Sequence, residues 1–228
     1  MSEFFDERET REPARREAEL MQALARQVAH AQKASPAMAQ VLAGVDASDI
    51  TSREALARLP VTRKHGLLER QRASVGTDPF GGFSALVRGA DMPRVFSSPG
   101  PIYEPEGATR DYWRSARALY AAGFRRGDLV HNAFSYHMTP GAFIMEAGAH
   151  AIGCTVFPAG VGQTEQQLQA MAELRPAAYT GTPSFLRILL EKAQETGADV
   201  GSLGKALASG EALPPTLRDL LAGPGVEG

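Results

Sequence analysis

The chain has 228 residues, 43% hydrophobic and 22% charged, with a formal net charge of -2, an ordinary globular balance that would fill one large domain or two small ones. No global field draws it to nucleic acid or to an anionic membrane, and its single cysteine, Cys154, excludes an internal disulfide and a four-cysteine zinc site. No apolar run approaches the roughly 20 residues of a membrane span, and the opening MSEFFDERET is acidic and polar, unlike a signal peptide. The default expectation is a soluble cytoplasmic protein.

Leu20, Leu24, Val28 and Ala31 form a stripe at helical spacing and predict a helix over residues 9–33. Ser35-Pro36 breaks it, and a short helix follows to about Leu42. Thr51-Ser52-Arg53-Glu54 reads as a capping box with Thr51 as the cap. Pro60 ends that helix, and another runs through Arg72. Residues 1–75 are thus expected to form an N-terminal helical region, and the glycine-rich stretch 73–92 a crossing loop. From Pro93 onward short β-rich runs alternate with helical ones. Strands are expected at Pro93–Ser97, Asp128–Phe134, Cys154–Phe157, Ala177–Thr180 and Lys205–Ser209, with helices near 108–122, 140–151, 164–174 and 183–196. Gly123 stands where a helix-ending glycine belongs. Thr139-Pro140 places a cap before a first-turn proline, Thr164-Glu165-Gln166-Gln167 reads as a second capping box, and Arg175-Pro176 stops its helix. Later strands begin about 25 residues apart, which suits parallel strand–helix–strand units. The expected fold is α/β: the helical region plus a mostly parallel sheet flanked by helices, with residues 76–228 as an α/β part incomplete at its C-terminus.

In such sheets ligands bind beyond the carboxyl ends of the strands, which singles out loops 97–107, 134–139, 158–163, 180–184 and 209–214. Ser209-Gly210-Glu211-Ala212-Leu213-Pro214 and Thr180-Gly181-Thr182-Pro183-Ser184 each carry a glycine that permits close approach and a proline that opens a helix. Taken singly, both are equally ordinary strand-to-helix turns. Phe134 and Tyr136 suit either the lining of an apolar pocket or packing at the sheet rim. His131, His137, His150 and Cys154 crowd into one stretch, but no spacing matches a zinc motif, and no metal site is expected. No nucleophile elbow is present. The basic clusters Arg15-Arg16 and Arg63-Lys64-His65 read as solvated helix faces.

As an ordered set, these segments resemble the adenylate-forming enzymes of the AMP-binding, acyl-CoA synthetase superfamily, specifically the phenylacetate–CoA ligase type. The resemblance runs from the N-terminal helices to about Gly223. It rests on Leu59-Pro60-Val61-Thr62-Arg63-Lys64, Phe96-Ser97-Ser98, Ala121-Ala122-Gly123-Phe124-Arg125-Arg126-Gly127-Asp128, Phe134-Ser135-Tyr136, Gly162-Gln163-Thr164-Glu165-Gln166-Gln167, Gly181-Thr182-Pro183-Ser184 and Ser209-Gly210-Glu211-Ala212. It implies a reaction in which a carboxylic acid attacks ATP to give an acyl-adenylate and pyrophosphate, after which the thiol of coenzyme A gives a thioester and AMP. ATP/AMP, Mg2+ and coenzyme A are the implied cofactors. A small carboxylic acid is the implied partner, a homodimer is compatible, and neither nucleic acid nor membrane is expected. By the same resemblance Ser209, Gly210, Glu211 and Ala212 lie against adenine, and Ser97, Ser98 and Gly100 occupy the phosphate-loop position. Phe134 and Tyr136 line the acyl pocket, and Gly181, Thr182 and Pro183, through Ser184, help to wall it.

Two departures bear on function. The family's phosphate loop reads roughly Ser-Ser-Gly-Thr-Thr-Gly-x-Pro and offers backbone N–H groups and hydroxyls to the triphosphate. Here Ser97-Ser98 is followed by Pro99-Gly100-Pro101-Ile102-Tyr103-Glu104-Pro105. Each proline deletes a donor, and Glu104 or Glu106 near a phosphate would repel it by roughly 4 kcal/mol per charge pair at about 4 Å and an effective dielectric near 20. A triphosphate held here would need another arrangement, with Arg110 or Arg114 as candidates. The second departure is length. The family's aromatic–Gly–x–Ser/Thr–Glu segment, its ribose-binding aspartate and the domain with its catalytic lysine have no counterpart in the 228 residues, so no catalytic residue is expected within the chain. The expected function is the N-terminal part of an ATP-dependent acid–CoA ligase, for an aryl acid such as phenylacetate, inactive by itself. The alternatives are a non-catalytic acyl- or adenine-binding relative that has lost ATP cleavage, and a subunit whose open sheet edge is completed by a partner chain.

Overall fold

Proline and serine set the early helix boundaries. In the computed structural model, which describes residues 3–221, α1 (Pro13–Ala34) starts on Pro13, and the Glu12 carboxylate accepts the Arg15 N–H at 2.9 Å. Ser35 ends α1 and caps α2 (Pro36–Val41), its Oγ accepting from Met38 N at 3.2 Å. The stripe read from the sequence delivers Val28 to a small core with Leu42, Ile50 and Ala55. A 3-10 turn at Ala47–Asp49 leads to α3 (Arg53–Ala57). Its cap is Ser52 rather than Thr51: the Ser52 hydroxyl accepts from Ala55 N at 3.1 Å, one residue later than the capping box placed it. Helix α4 spans Lys64–Ala73.

The strand expected at Pro93–Ser97 forms, as β1 (Arg94–Ser98), but it does not join the parallel sheet. It pairs antiparallel with β2 (Ile102–Glu106), Ser98 opposite Ile102 and Arg94 opposite Glu106. The run read as a loop after Ser98 is therefore a turn and a return strand. Phe96 and Ile102 share one hairpin face and are buried, and Pro99-Gly100-Pro101 makes the turn with Gly100 at φ +152°. Gln71 of α4 fastens the hairpin: its side chain accepts from Tyr103 N and donates to Tyr103 O, both at 2.9 Å. Residues 6–109 make one compact unit; the chain from Arg110 onward, with the extreme N-terminal residues up to Phe5, makes the other.

The second unit begins with α5 (Ala116–Ala121), shorter than the helix expected over 108–122. Asp111 and Arg114 take left-handed backbone (φ 52° and 59°), which interrupts a helix there, while Asp111 Oδ1 accepts from Ser115 N at 2.9 Å. Then follow β3 (Leu129–Asn132), α6 (Gly141–Ile152), β4 (Thr155–Phe157), α7 (Thr164–Leu174), β5 (Ala178–Gly181), α8 (Pro183–Thr196), β6 (Lys205–Ala208) and α9 (Pro215–Leu221). The four strands are parallel in the order β4-β3-β5-β6. One face of the sheet, through Val130 and Ala178, packs on Leu119, Phe124, Ala149 and Ile152. The other, through Tyr179, packs on Leu168, Met171, Leu186, Leu189 and Ala193. Helix α6 approaches α5 at Gly148, where a Cβ would lie 2.2 Å from Ser115 Oγ. The chain leaves β3 toward β4 on one side and leaves β5 toward β6 on the other, so β3 and β5 flank the point where the strand order reverses. Connections diverge there and open a crevice at the carboxyl ends.

Two expected caps do not form. Pro140, not Thr139, precedes α6, and no side chain caps that helix. Helix α7 follows Gln163, left-handed at φ 52°, again without a side-chain cap; Gln167 turns inward instead. The extension of the α/β region over residues 222–228, including the end of the resemblance at Gly223, lies outside the described residues.

Candidate functional site

Three loops meet at the carboxyl ends of β3, β5 and β6. A Cβ built on Gly210 would contact Thr182 Cγ2 at 3.7 Å and the Phe134 ring at 3.8 Å, so one residue from each loop shares a single small volume. Ser209 N donates to Gly181 O at 3.1 Å. The Glu211 carboxylate accepts from Ser184 Oγ at 2.9 Å and from Ser184 N at 3.4 Å, which ties the β6 loop to the first turn of α8. That turn starts on buried Pro183 and is capped by Thr182, whose Oγ1 accepts from Phe185 N at 3.3 Å. Gly181 is obligatory: Tyr179 Oη lies 2.1 Å from where its Cβ would be. Ala212 follows on the exposed loop.

Polar side chains that sequence reasoning passed over hold these loops. Asn132, at the end of β3, is fully buried. Its Oδ1 accepts from Thr180 Oγ1 at 2.9 Å and from Phe134 N at 3.3 Å, and its Nδ2 donates to Tyr136 Oη at 2.7 Å and to Ala142 O at 2.9 Å. Tyr136 Oη donates its own hydrogen bond to Glu146 Oε2 at 2.7 Å, and its ring meets Phe143 edge-on at 5.3 Å. Burial, then the Glu146 carboxylate, push the Tyr136 phenol far above the ordinary tyrosine range, so it stays neutral. On the opposite sheet face His131 Nε2 bonds Gln167 Oε1 at 2.7 Å, while Gln167 Nε2 donates to Gly160 O and Gly162 O at 3.0 and 2.7 Å. Because Gln167 spends its amide hydrogens on the two carbonyls, His131 carries its proton on Nε2 and leaves Nδ1 as a bare, unpartnered lone pair. Burial pulls the His131 pKa below its ordinary value. The signal for both residues was in the sequence: a His-Asn pair inside an otherwise apolar strand needs buried partners.

The remaining candidates belong to the other unit. Ser97 and Ser98 are strand residues of β1, and Gly100 is the centre of the turn. Ser98 Oγ donates to Glu104 Oε1 at 3.1 Å, so a carboxylate stands on the hydroxyl that a phosphate would use. Pro99 and Pro101 leave Gly100 as the only backbone N–H of the turn. One cation is fixed at the tip: Lys64 Nζ donates to Pro99 O at 2.8 Å. Arg110, a candidate phosphate ligand, instead caps the end of α6 through Ala151 O at 2.7 Å. Among the described residues no group of His, Cys, Asp and Glu could hold a metal ion, and no helix is long and apolar enough to cross a membrane. A groove of about 300 Å³ between the start of α7 and α8 is lined by Glu165, Glu191 and Glu195 with Lys192 and Ile188; its carboxylates disfavour an anionic nucleotide, and the strand-end loops do not contribute to it.

No family model matches the chain. It is 34% identical to the phenylacetate–coenzyme A ligase of Aromatoleum evansii over 163 residues, which is 68% of this chain and 35% of that one. It is also 34% identical to the phenylacetate–coenzyme A ligase of Thermus thermophilus over 162 residues, 68% of this chain and 34% of that one. Among solved structures, 2-hydroxyisobutyryl-CoA ligase in the postadenylation state, in complex with R3-HIB-AMP, superposes with a TM-score of 0.87 at 27% identity, covering 97% of this chain and 49% of that chain. The chain thus spans about a third of the length of these curated relatives and about half of the solved enzyme. Strand order, the three strand-end loops and these relatives agree: the chain belongs to the phenylacetate–CoA ligase type of adenylate-forming enzymes.

Proposed function

We propose that the chain is part of an ATP-dependent acid–CoA ligase, and that its second unit supplies the acyl and adenine sides of the adenylate site. The observation that carries this reading is the meeting of Phe134, Thr182 and Gly210 in one small volume, latched by the Glu211–Ser184 contact. In it the glycine-bearing β6 loop, Ser209 to Ala212, is the surface for adenine. Phe134 and Tyr136 form the wall for the acid, an aryl acid such as phenylacetate, and the Gly181-Thr182-Pro183 turn separates the two. The cofactors of the complete reaction are ATP, Mg2+ and coenzyme A, and the remaining catalytic groups come from outside these residues. Calorimetry on the intact chain tests the reading with AMP and phenylacetate as probes. Both are expected to bind, with no pyrophosphate released on adding MgATP. Failure of both to bind overturns it.

One observation favours a second reading, that of a relative which binds an adenylate or acyl group without cleaving ATP. Ser98 is bonded to Glu104, and Pro99 and Pro101 have no N–H. AMP binding without MgATP binding selects this reading over the first, whereas MgATP binding comparable to that of AMP selects the ligase.

A further inference from the structure

Asn132 stands where the loops after β3 and β4, the end of β5 and the start of α6 come together. Its register partner across the sheet is Thr180: Asn132 ends β3 and Thr180 stands one residue before the end of β5, the two strands that flank the reversal of strand order. Its carboxamide uses its full bonding capacity, two bonds accepted and two donated. Its main-chain carbonyl accepts from Gly160 N at 3.0 Å. One side chain and one carbonyl thereby bond the loop after β3 (Phe134 and Tyr136), the loop after β4 (Gly160), the end of β5 (Thr180) and the first turn of α6 (Ala142). Packing alone does not call for this. Burying a carboxamide is costly unless every group is bonded, and an apolar residue of similar shape avoids that cost.

The direction of the network is fixed. The Asn132 amide nitrogen has only hydrogens to give, so Tyr136 Oη must accept from it and send its own hydrogen to Glu146. Thr180, Asn132 and Tyr136 form a single file of donors that ends on the accepting Glu146 carboxylate, each polarising the next. The phenol hydrogen is spent within this file, and Tyr136 has no hydrogen left to donate to a ligand.

We infer that Asn132 is the positioning residue of the acyl side of the site: it sets Tyr136 through the phenol oxygen and Phe134 through the main-chain N–H, in register with β5 through Thr180. The identity of the probe rests on the acid–CoA ligase reading; the positioning itself does not. The test is Asn132→Ala in the intact chain labelled with 3-fluorotyrosine, with the Tyr136 resonance assigned by its loss in Tyr136→Phe. The Tyr136 fluorine signal is expected to shift and narrow as the ring gains freedom. Phenylacetate affinity is expected to fall at least about tenfold, while AMP affinity changes less than about threefold. An unmoved Tyr136 signal, or an equal loss for both probes, overturns the inference. If Asn132→Ala does not fold, Thr180→Val removes one bond at constant shape and must show the same selective shift at smaller size; its absence also overturns the inference. If the parent chain binds neither probe, the ligase reading fails, and the fluorine spectrum alone still decides the positioning role.

Discussion

The strand-end loops of the parallel sheet and the β1–β2 hairpin are the two regions proposed for the adenylate and the phosphates, and they treat their polar groups in opposite ways. At the sheet, side chains are bonded so that they hold the loops: buried Asn132 is saturated, buried Gln167 gathers two carbonyls, and exposed Glu211 grips the first turn of α8. At the hairpin the groups that would meet a phosphate are consumed or missing: Ser98 faces Glu104, and two of the three turn residues lack an N–H. In the first region the bonds order the loops, while in the second they satisfy the turn itself. A binding surface is therefore legible from where its donors are spent, and position in a motif does not guarantee it.

Substitutions can break each side of that contrast. The largest effect is expected at Gly181→Ala, whose methyl group collides with Tyr179; thermal unfolding should show a loss of about 3 kcal/mol or more, and an unchanged melting temperature would refute the close approach. At the hairpin, Glu104→Gln removes the carboxylate beside Ser98 and should raise the affinity for inorganic pyrophosphate about tenfold by calorimetry; no gain would mean that the missing donors, not the charge, disable the turn. A third effect is pH dependence. Burial lowers the His131 pKa, so the unfolded chain binds the proton more readily than the folded one. The stability His131 contributes is full above its ordinary value of 6.5 and declines as pH falls below it. Melting temperatures measured downward from pH 7.5 should fall more steeply in the parent than in His131→Gln; parallel curves would sink this assignment. The smallest effect is expected for Ser184→Ala, which frees the exposed Glu211 and should weaken AMP binding by about threefold, with little change in stability.

Much of the architecture could be read from residue patterns because those patterns act locally. Helix α8 begins and ends where Thr182, Pro183 and Gly197 put its boundaries, and Arg175-Pro176 stops α7 as its chemistry requires. Two kinds of feature escaped. The β2 strand, Ile-Tyr-Glu-Pro-Glu, has two carboxylates and a proline and only gains strand character through its pairing with β1 and the grip of Gln71, a contact 32 residues away in the chain. The capping box at Thr164 failed for a similar reason: Gln167 satisfies three groups across the α7 face of the sheet and is not available to reach back. Of the site, the glycines, Phe134, Tyr136 and Glu211 were legible as types at strand ends. Of the partners that fix them, Asn132 showed only as a polar residue in an apolar strand, and Thr180 and Glu146 gave no signal, since a buried hydrogen bond has no periodicity.

The 2.1 Å between Tyr179 Oη and the missing Cβ of Gly181 also sets a rule of inheritance. A phenol hydroxyl fills the room that any other residue at 181 would need, and Tyr179 is itself wholly buried in the α7–α8 core. Position 181 cannot drift alone: Tyr179 Cζ and Cε1 also lie 2.5 and 2.9 Å from that Cβ, so an alanine at 181 becomes tolerable only once 179 has lost its ring as well as its hydroxyl. In a randomised library of the two codons, survivors should couple the pair in that order, with 179 changing first, and the Gly181–Pro183 turn should change along that path only.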